Sequence, residues 1–212
     1  MGLLVGTAAR TCSADPTSSI VSVGVDTAFA NNSGGTFAGE APGQTFYAPD
    51  TLLYSLTVWR VAAEGAPGNP YGVGIDPYIT LTDIHGGPVT SEIISHGPVQ
   101  IIPNGDGIHP IKFEWIYDPP LVLPHRGTYA FFMQAPQDHC PAYWDLLTRD
   151  LPLPDNYPEG NAWLTARTFS CDLTPSVRAF PDADLVFTVE FCHDLATAVR
   201  GKTWGQLKAI YR

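Results

Sequence analysis

The chain has 212 residues with 11 basic and 21 acidic side chains, which gives a formal net charge of −10. This charge disfavours nucleic acid and anionic membranes as partners, because both require a positive field on the protein. Hydrophobic residues make up 44% of the chain, enough for a packed core. No apolar run approaches the ~20 residues of a membrane span.

The first segment, MGLLVGTAARTCSADP, has two interpretations. It resembles the apolar part of a signal peptide without the basic start, and it also reads as an ordinary first strand. We therefore set residues 1–16 apart as an N-terminal segment. Residues 17–195 are predicted to form one β-sandwich domain, and residues 196–212 a basic tail.

Alternation of apolar and polar residues predicts about ten strands separated by turns. The predicted strands are IVSVGV, QTFYA, LLYSLTVWRV, YITLTDI, EIIS, VQII, IKFEWIY, TYAFFMQ, AWLTART and LVFTVEFC. In LLYSLTVWRV, one face carries Leu52, Tyr54, Leu56 and Val58, and the other carries Trp59 with Ser and Thr. Short strands with one polar face are typical of an antiparallel sandwich or barrel whose sheets are wet on one side.

Two long segments interrupt the strands. They are AAEGAPGNPYGVGIDP and CPAYWDLLTRDLPLPDNYPEGN, and AYWDLL in the second is expected to form one helical turn. Aromatic residues on such loops suit glycan or protein recognition, so Tyr71, Tyr143, Trp144 and Tyr157 are the predicted ligand-binding residues. The alternative is that these rings cap the core beneath the loops.

Strand aromatics are expected in the core instead. The predicted core aromatics are Phe113, Trp115, Phe131, Phe187 and Phe191.

The four cysteines are Cys12, Cys140, Cys171 and Cys192. An even number without a CxxC motif favours disulfides and an oxidising compartment, and the alternative is buried free thiols. We favour a Cys140–Cys171 pair, because it would close the most irregular stretch of the chain. That choice leaves Cys12 to pair with Cys192.

Calcium is the better hypothesis for a bound ion, because the chain offers oxygen ligands in loops. Asn104 and Asp106 lie in the turn-like PNGDGIHP, and Asp182 and Asp184 lie in PDADL just before a strand. The alternative is that both segments are ordinary turns, in which Asn, Asp and Gly are favoured.

Enzyme signatures are missing from the sequence. It contains no G-x-S-x-G, H-E-x-x-H, P-loop or G-x-G-x-x-G, and no histidine spacing typical of zinc. Glu114 and Glu190 are strand carboxylates that could face each other as in a glycosidase, but solvated strand residues are the more common case. We predict a protein without catalytic activity.

The tail ends in RGKTWGQLKAIYR, which is basic in an otherwise acidic chain. Thr203 and Gln206 match a capping box, and an apolar stripe follows at helical spacing. Trp204, Leu207, Lys208 and Tyr211 are the predicted assembly residues. So short a helix must dock to be stable, whether on its own sandwich, on a neighbouring copy or on export machinery.

Several segments together resemble a known family. They are GQTFYAP, LLYSLTVWR, GDGIHPIKFEW, DPPLVLPHRGTYAFFMQ, YWDLL and ADLVFTVEFC. They resemble uncharacterised extracellular bacterial β-sandwich domains that are jelly-roll-like and similar to carbohydrate-binding modules. The ending TWGQLKAIYR is similar to W-G-x-[IL]-K-x-x-Y-[RK] endings of other secreted bacterial proteins.

The predicted fold is therefore an all-β, jelly-roll-like antiparallel sandwich with a short C-terminal helix. The resemblance implies a secreted or cell-surface module that binds glycan or a cell-surface protein. The alternative is a structural subunit of an extracellular filament, sheath or layer, assembled through the tail.

Overall fold

The computed structural model describes residues 19–35, 40–61, 74–101, 103, 108–140, 145–150, 157–166, 171–180 and 182–193. The predicted C-terminal helix and the assembly residues Trp204, Leu207, Lys208 and Tyr211 lie outside these ranges. In the part of the chain described, no helix is long and apolar enough to cross a membrane.

The described residues form fourteen strands and two short 3-10 turns, Thr27–Phe29 and Gln137–His139. The strands are β1 (Ser19–Val25), β2 (Asn32–Gly35), β3 (Pro42–Ala48), β4 (Leu52–Arg60), β5 (Gly74–Thr82), β6 (Pro88–His96), β7 (Gln100–Ile101), β8 (Ile111–Val122), β9 (Gly127–Gln134), β10 (Asp145–Asp150), β11 (Ala162–Thr165), β12 (Val177–Phe180), β13 (Ala183–Leu185) and β14 (Phe187–His193).

These strands form two antiparallel sheets. The first sheet has the order β1-β14-β4-β10-β13, with β8 on the other edge of β4 and β2 on β10. The second sheet has the order β12-β11-β3-β9-β5-β6, with β7 also on β5. The predicted class, an antiparallel β-sandwich, is confirmed at this level.

Aromatic side chains from both sheets meet in the core. Phe131 of the second sheet lies 5.3 Å from Phe187 of the first, and Phe46 lies 6.3 Å from Phe191, measured between ring centroids. The five predicted core aromatics are all buried: Phe113, Trp115, Phe131, Phe187 and Phe191. For the four in β8 and β14, strict alternation allows this prediction, because every second side chain faces the same way; Phe131 lies in β9, which is buried on both faces.

The alternation predicted for β4 is wrong in its first half. Leu56 and Val58 are in the core as expected, but Leu53 is fully buried whereas Leu52 and Tyr54 are only half-buried. The cause is a β-bulge at Tyr54, where the ladder to β14 steps from Leu53 directly to Ser55. An extra residue in a strand reverses the faces of the residues before it.

The expected helical turn at AYWDLL is also wrong where the structure describes it. Asp145–Asp150 is strand β10, which pairs with β2, β13 and the end of β4. Long-range pairing therefore overrides the local sequence preference.

In the second sheet, simple alternation would predict a wet outer face, but strand β9 does not have one. Strand β9 is buried on both faces between Tyr129 and Gln134, because residues Cys171–Val177 pack over it. Leu173 and Val177 contact the cluster around Phe132. This part of the sheet is thus covered by a segment that has little regular structure of its own.

A disulfide joins Cys140 to Cys171, 31 positions apart in sequence, and fastens the start of this covering segment. It is the pair favoured by the sequence. Cys192 is also disulfide-bonded, and Cys12 lies outside the described residues.

Candidate functional site

The outer face of the first sheet is lined with polar side chains. Ser22 of β1 lies opposite Glu190 of β14, and Glu190 lies opposite Ser55 of β4. The next row across the same strands is Gly24, Thr188 and Thr57. The part of these rows that is accessible lies on β1 and β14, where Ser22 is exposed and Thr188 and Glu190 are half-buried, whereas Ser55 and Thr57 are buried.

A groove with a volume of about 380 Å³ opens where β1 ends. That volume falls within the range of small-ligand sites, roughly 300–1,000 Å³. The groove is lined by Ser22, Val23, Gly24, Asp26, Thr27, Trp59 and Thr188. It therefore joins two neighbouring rows of the sheet to the 3-10 turn that follows β1.

Trp59 is the large aromatic residue of the groove. Its neighbour Val58 is fully buried in the core, so alternation directs the indole to the outer face. The side chain is half-buried, with part of the ring packed on the core and the rest accessible in the groove. An indole in this position can stack on the apolar face of a sugar ring.

Asp26 closes one end of the groove. It is the N-cap of the 3-10 turn, where its Oδ1 accepts a hydrogen bond from the backbone N–H of Ala28 at 2.8 Å. The hydroxyl of Thr27 donates to the same oxygen at 3.3 Å. Capping therefore holds the carboxylate in place at the edge of the groove.

Gly24 allows the groove wall to form. Its φ is +149°, and a Cβ built there would lie 2.0 Å from the carbonyl oxygen of Phe187. Only glycine permits so close an approach of β1 to β14. The groove therefore depends on a residue without a side chain beside Thr188.

The carboxylates of Glu114 and Glu190 are on this same face but on opposite sides of β4. Glu114 lies opposite Thr57 and Glu190 lies opposite Ser55. Their backbones are thus two strand spacings, about 9.6 Å, apart across the sheet and are also offset by two residues along it. Glu190 accepts a hydrogen bond from the hydroxyl of Ser55 at 2.6 Å, and Glu114 pairs with Lys112 at 2.7 Å. Each carboxylate is engaged by a neighbour, so the two do not form a facing pair.

A second polar cluster lies at the edge of the other sheet. Asp76 is 6% exposed, and its Oδ2 lies 3.6 Å from Nδ1 of the exposed His96. The His96 ring stacks on Tyr78 with centroids 5.4 Å apart. Burial, followed by the charge of Asp76, raises the pKa of Tyr78 to about 12. Since the Asp76 carboxylate is buried, a ligand at this cluster would meet the exposed imidazole of His96.

The structure corrects the expectation for Tyr157. Its ring is 5% exposed and meets Phe187 edge-on at 5.2 Å. Its hydroxyl accepts a hydrogen bond from the backbone N–H of Tyr47. Tyr157 is therefore a core residue, which agrees with the alternative that loop aromatics cap the core. The other predicted ligand residues, Tyr71, Tyr143 and Trp144, lie outside the described residues.

The acidic pair predicted for calcium is separated in the structure. Asp182 is exposed, whereas Asp184 is 2% exposed and its Oδ1 accepts a hydrogen bond from Gln44 at 2.7 Å. Asp184 thus faces the other sheet rather than a surface site. Asn104 and Asp106 lie outside the described residues. Among the residues that are described, no group of three or more His, Cys, Asp or Glu could hold a metal ion.

Two features of the sequence point to this groove. Alternation places Trp59 on the polar face, and Trp, with an apolar ring and a polar N–H, is enriched at recognition surfaces. Asp26 follows β1 directly, in the sequence position of a cap.

The sequence matches no protein-family model and no curated protein. Among solved structures, the chain is similar to the clostridial cysteine protease Cwp84 after propeptide cleavage, with a TM-score of 0.52 and 11% identity over 82% of this chain. A structure of the cysteine protease and lectin-like domains of Cwp84, a surface layer associated protein of Clostridium difficile, gives a TM-score of 0.46 and 12% identity over 74% of this chain. The chain covers 40% of the first of these structures and 33% of the second. At this identity, the first likeness shows a shared fold.

Proposed function

We propose that this chain is a non-catalytic β-sandwich module of the extracellular space or cell surface, and that it binds glycan in the groove beside Trp59. The observation that carries the proposal is a partly exposed indole beside a row of hydroxyl groups. Stacking on the ring supplies affinity, and Ser22, Thr27 and Thr188 supply donors and acceptors for sugar hydroxyls.

The extracellular setting rests on cysteine chemistry. Cys140, Cys171 and Cys192 are all disulfide-bonded, and disulfides persist mainly in oxidising compartments. A location at the cell surface is compatible with that of Cwp84, which is described as a surface layer associated protein. We also propose the jelly-roll topology that the sequence resemblance implies.

The test is a glycan array followed by calorimetric titration of the best ligand. Trp59→Ala should weaken binding by roughly 10-fold, or about 1.4 kcal/mol. The matched control is Phe180→Ala, because Phe180 is 40% exposed on the other sheet, far from the groove in the strand order. Binding that survives in Trp59→Ala, or an array on which the intact chain recognises no glycan, would overturn the proposal.

A further inference from the structure

The charges around the groove are unbalanced. Among the described residues that line it, Asp26 is the one ionisable side chain, and the rest are hydroxyl, apolar, glycine or indole groups. The row beside the groove adds Glu190, which lies opposite Ser22. A sugar in the groove would therefore meet negative charge at its end and along its side.

Two cations near the groove are engaged by other groups. Lys112 lies opposite Trp59 on β8, and its ammonium is paired with Glu114 at 2.7 Å. Arg149 of β10 donates to the backbone oxygen of Phe29, at the end of the 3-10 turn away from Asp26. Arg60, which follows Trp59 on β4, is fully buried.

The Asp26 carboxylate also has an oxygen available. Within the described residues, both hydrogen bonds that it accepts go to Oδ1. Oδ2 can therefore accept from a ligand without disturbing the cap. Because Oδ1 is already held, a ligand does not have to order the side chain when it binds.

From these observations we propose that the groove selects glycans that carry free amino groups over glycans that carry carboxylates, with Asp26 as the residue that discriminates between them. The inference rests on the proposed function, since it names the ligand class of the same groove. A protonated amine can donate to Oδ2 while the neighbouring sugar ring stacks on Trp59. A uronic acid in the same place would bring two carboxylates together and be repelled.

The experiment compares three oligosaccharides of similar length: a chitosan oligosaccharide, its N-acetylated chitin counterpart and an oligogalacturonate. The first carries amines, the second is neutral on the same backbone, and the third carries carboxylates. Calorimetric titration should rank them in that order, with roughly five-fold tighter binding of the amine over the neutral sugar at low salt. High salt should reduce the difference, because the contact is partly solvated.

Asp26→Asn is the matched variant, because asparagine keeps the capping oxygen and removes only the charge. It should bind the chitosan oligosaccharide roughly five-fold more weakly, so that the preference for the amine over the neutral sugar is lost. Equal affinity of the intact chain for the amine and the neutral sugar, or an unchanged preference in Asp26→Asn, would overturn this inference while the glycan function stands. Failure of all three sugars to bind would instead remove the proposed function itself.

Discussion

The hydroxyl of Tyr157 accepts a hydrogen bond from the backbone N–H of Tyr47 at 2.8 Å, which ties the second long loop to strand β3. The tie continues at Asn161, whose backbone N–H donates to the hydroxyl of Thr45 and whose carbonyl accepts from the Thr45 N–H. A stretch that reads as a loop thus behaves as part of the core. Substitutions in this stretch therefore test how the loop packs on β3 without changing a residue that lines the groove.

Alkaline pH should destabilise the fold through buried tyrosines. Burial raises the pKa of Tyr157 from 10.0 to about 12. The folded chain then holds this proton more tightly than the unfolded chain does. The contribution to stability is complete below pH 10 and is lost as the pH rises towards 12 and beyond. The slope is up to about 1.4 kcal/mol per pH unit for each such tyrosine.

Urea denaturation across this pH range checks the prediction. Tyr157→Phe should be less stable at neutral pH by about 1–3 kcal/mol, because the N–H of Tyr47 loses its acceptor. The variant should also lose less stability between pH 10 and 12 than the intact chain, although Tyr78 still contributes. Parallel pH curves for the two proteins would contradict this account.

Gly160 tests how closely this loop must approach β3. A Cβ at Gly160 would lie 2.1 Å from the carbonyl oxygen of Thr45 and 2.7 Å from the Tyr157 ring. Gly160→Ala should therefore push the loop outward and lower the free energy of unfolding by about 2–3 kcal/mol. Gly86→Ala is the control, since φ there is +81° but nothing lies within 4 Å of the added atom.

Backbone strain alone should cost Gly86→Ala about 1 kcal/mol. The two variants are compared by thermal and urea midpoints under the same conditions. Equal shifts for both variants would mean that the added methyl group at Gly160 costs no stability beyond backbone strain. The close packing of this loop on β3 would then make no measurable contribution to the free energy of unfolding.

Removing the Cys140–Cys171 disulfide should destabilise the chain by about 3–4 kcal/mol. The bond closes a loop of 31 positions, and it anchors the segment that covers the second sheet. The double substitution Cys140→Ser and Cys171→Ser leaves no unpaired thiol from this bond. An unchanged urea midpoint in the absence of reductant would show that the covering segment holds its place without the bond.

Those parts of the fold that follow strict alternation were predictable. In β8, Phe113 and Trp115 are buried between the exposed Lys112, Glu114 and Ile116, as the pattern requires. In β4, by contrast, no glycine or proline marks the bulge at Tyr54, so the sequence pattern continues while the faces change. The local sequence of β10 favours a helical turn, and its strand partners, β2 and β13, lie far away in the chain. Local sequence therefore could not predict this strand.

The groove was only half predictable. Alternation along β4 places Trp59 on the outer face, which local sequence can show. The opposite wall needs Gly24 against Phe187 and Thr188, more than 160 positions later in the chain. A strand pairing of that range leaves no local signal. Burial of Tyr157 likewise depends on Phe187 and could not be read from the loop in which it lies.

Deleting residues 196–212 should leave the sandwich folded. Every strand pair that the structure describes lies between Ser19 and His193, so the deletion would remove none of these pairs. If the tail connects copies, as the alternative function requires, the full chain should self-associate and the truncated chain should be monomeric by light scattering. The free energies of unfolding of the two chains, obtained by urea denaturation, should agree to within about 0.5 kcal/mol. A large loss of stability on deletion would instead identify the tail as a clasp on its own sandwich, and unchanged self-association would exclude it as the connector.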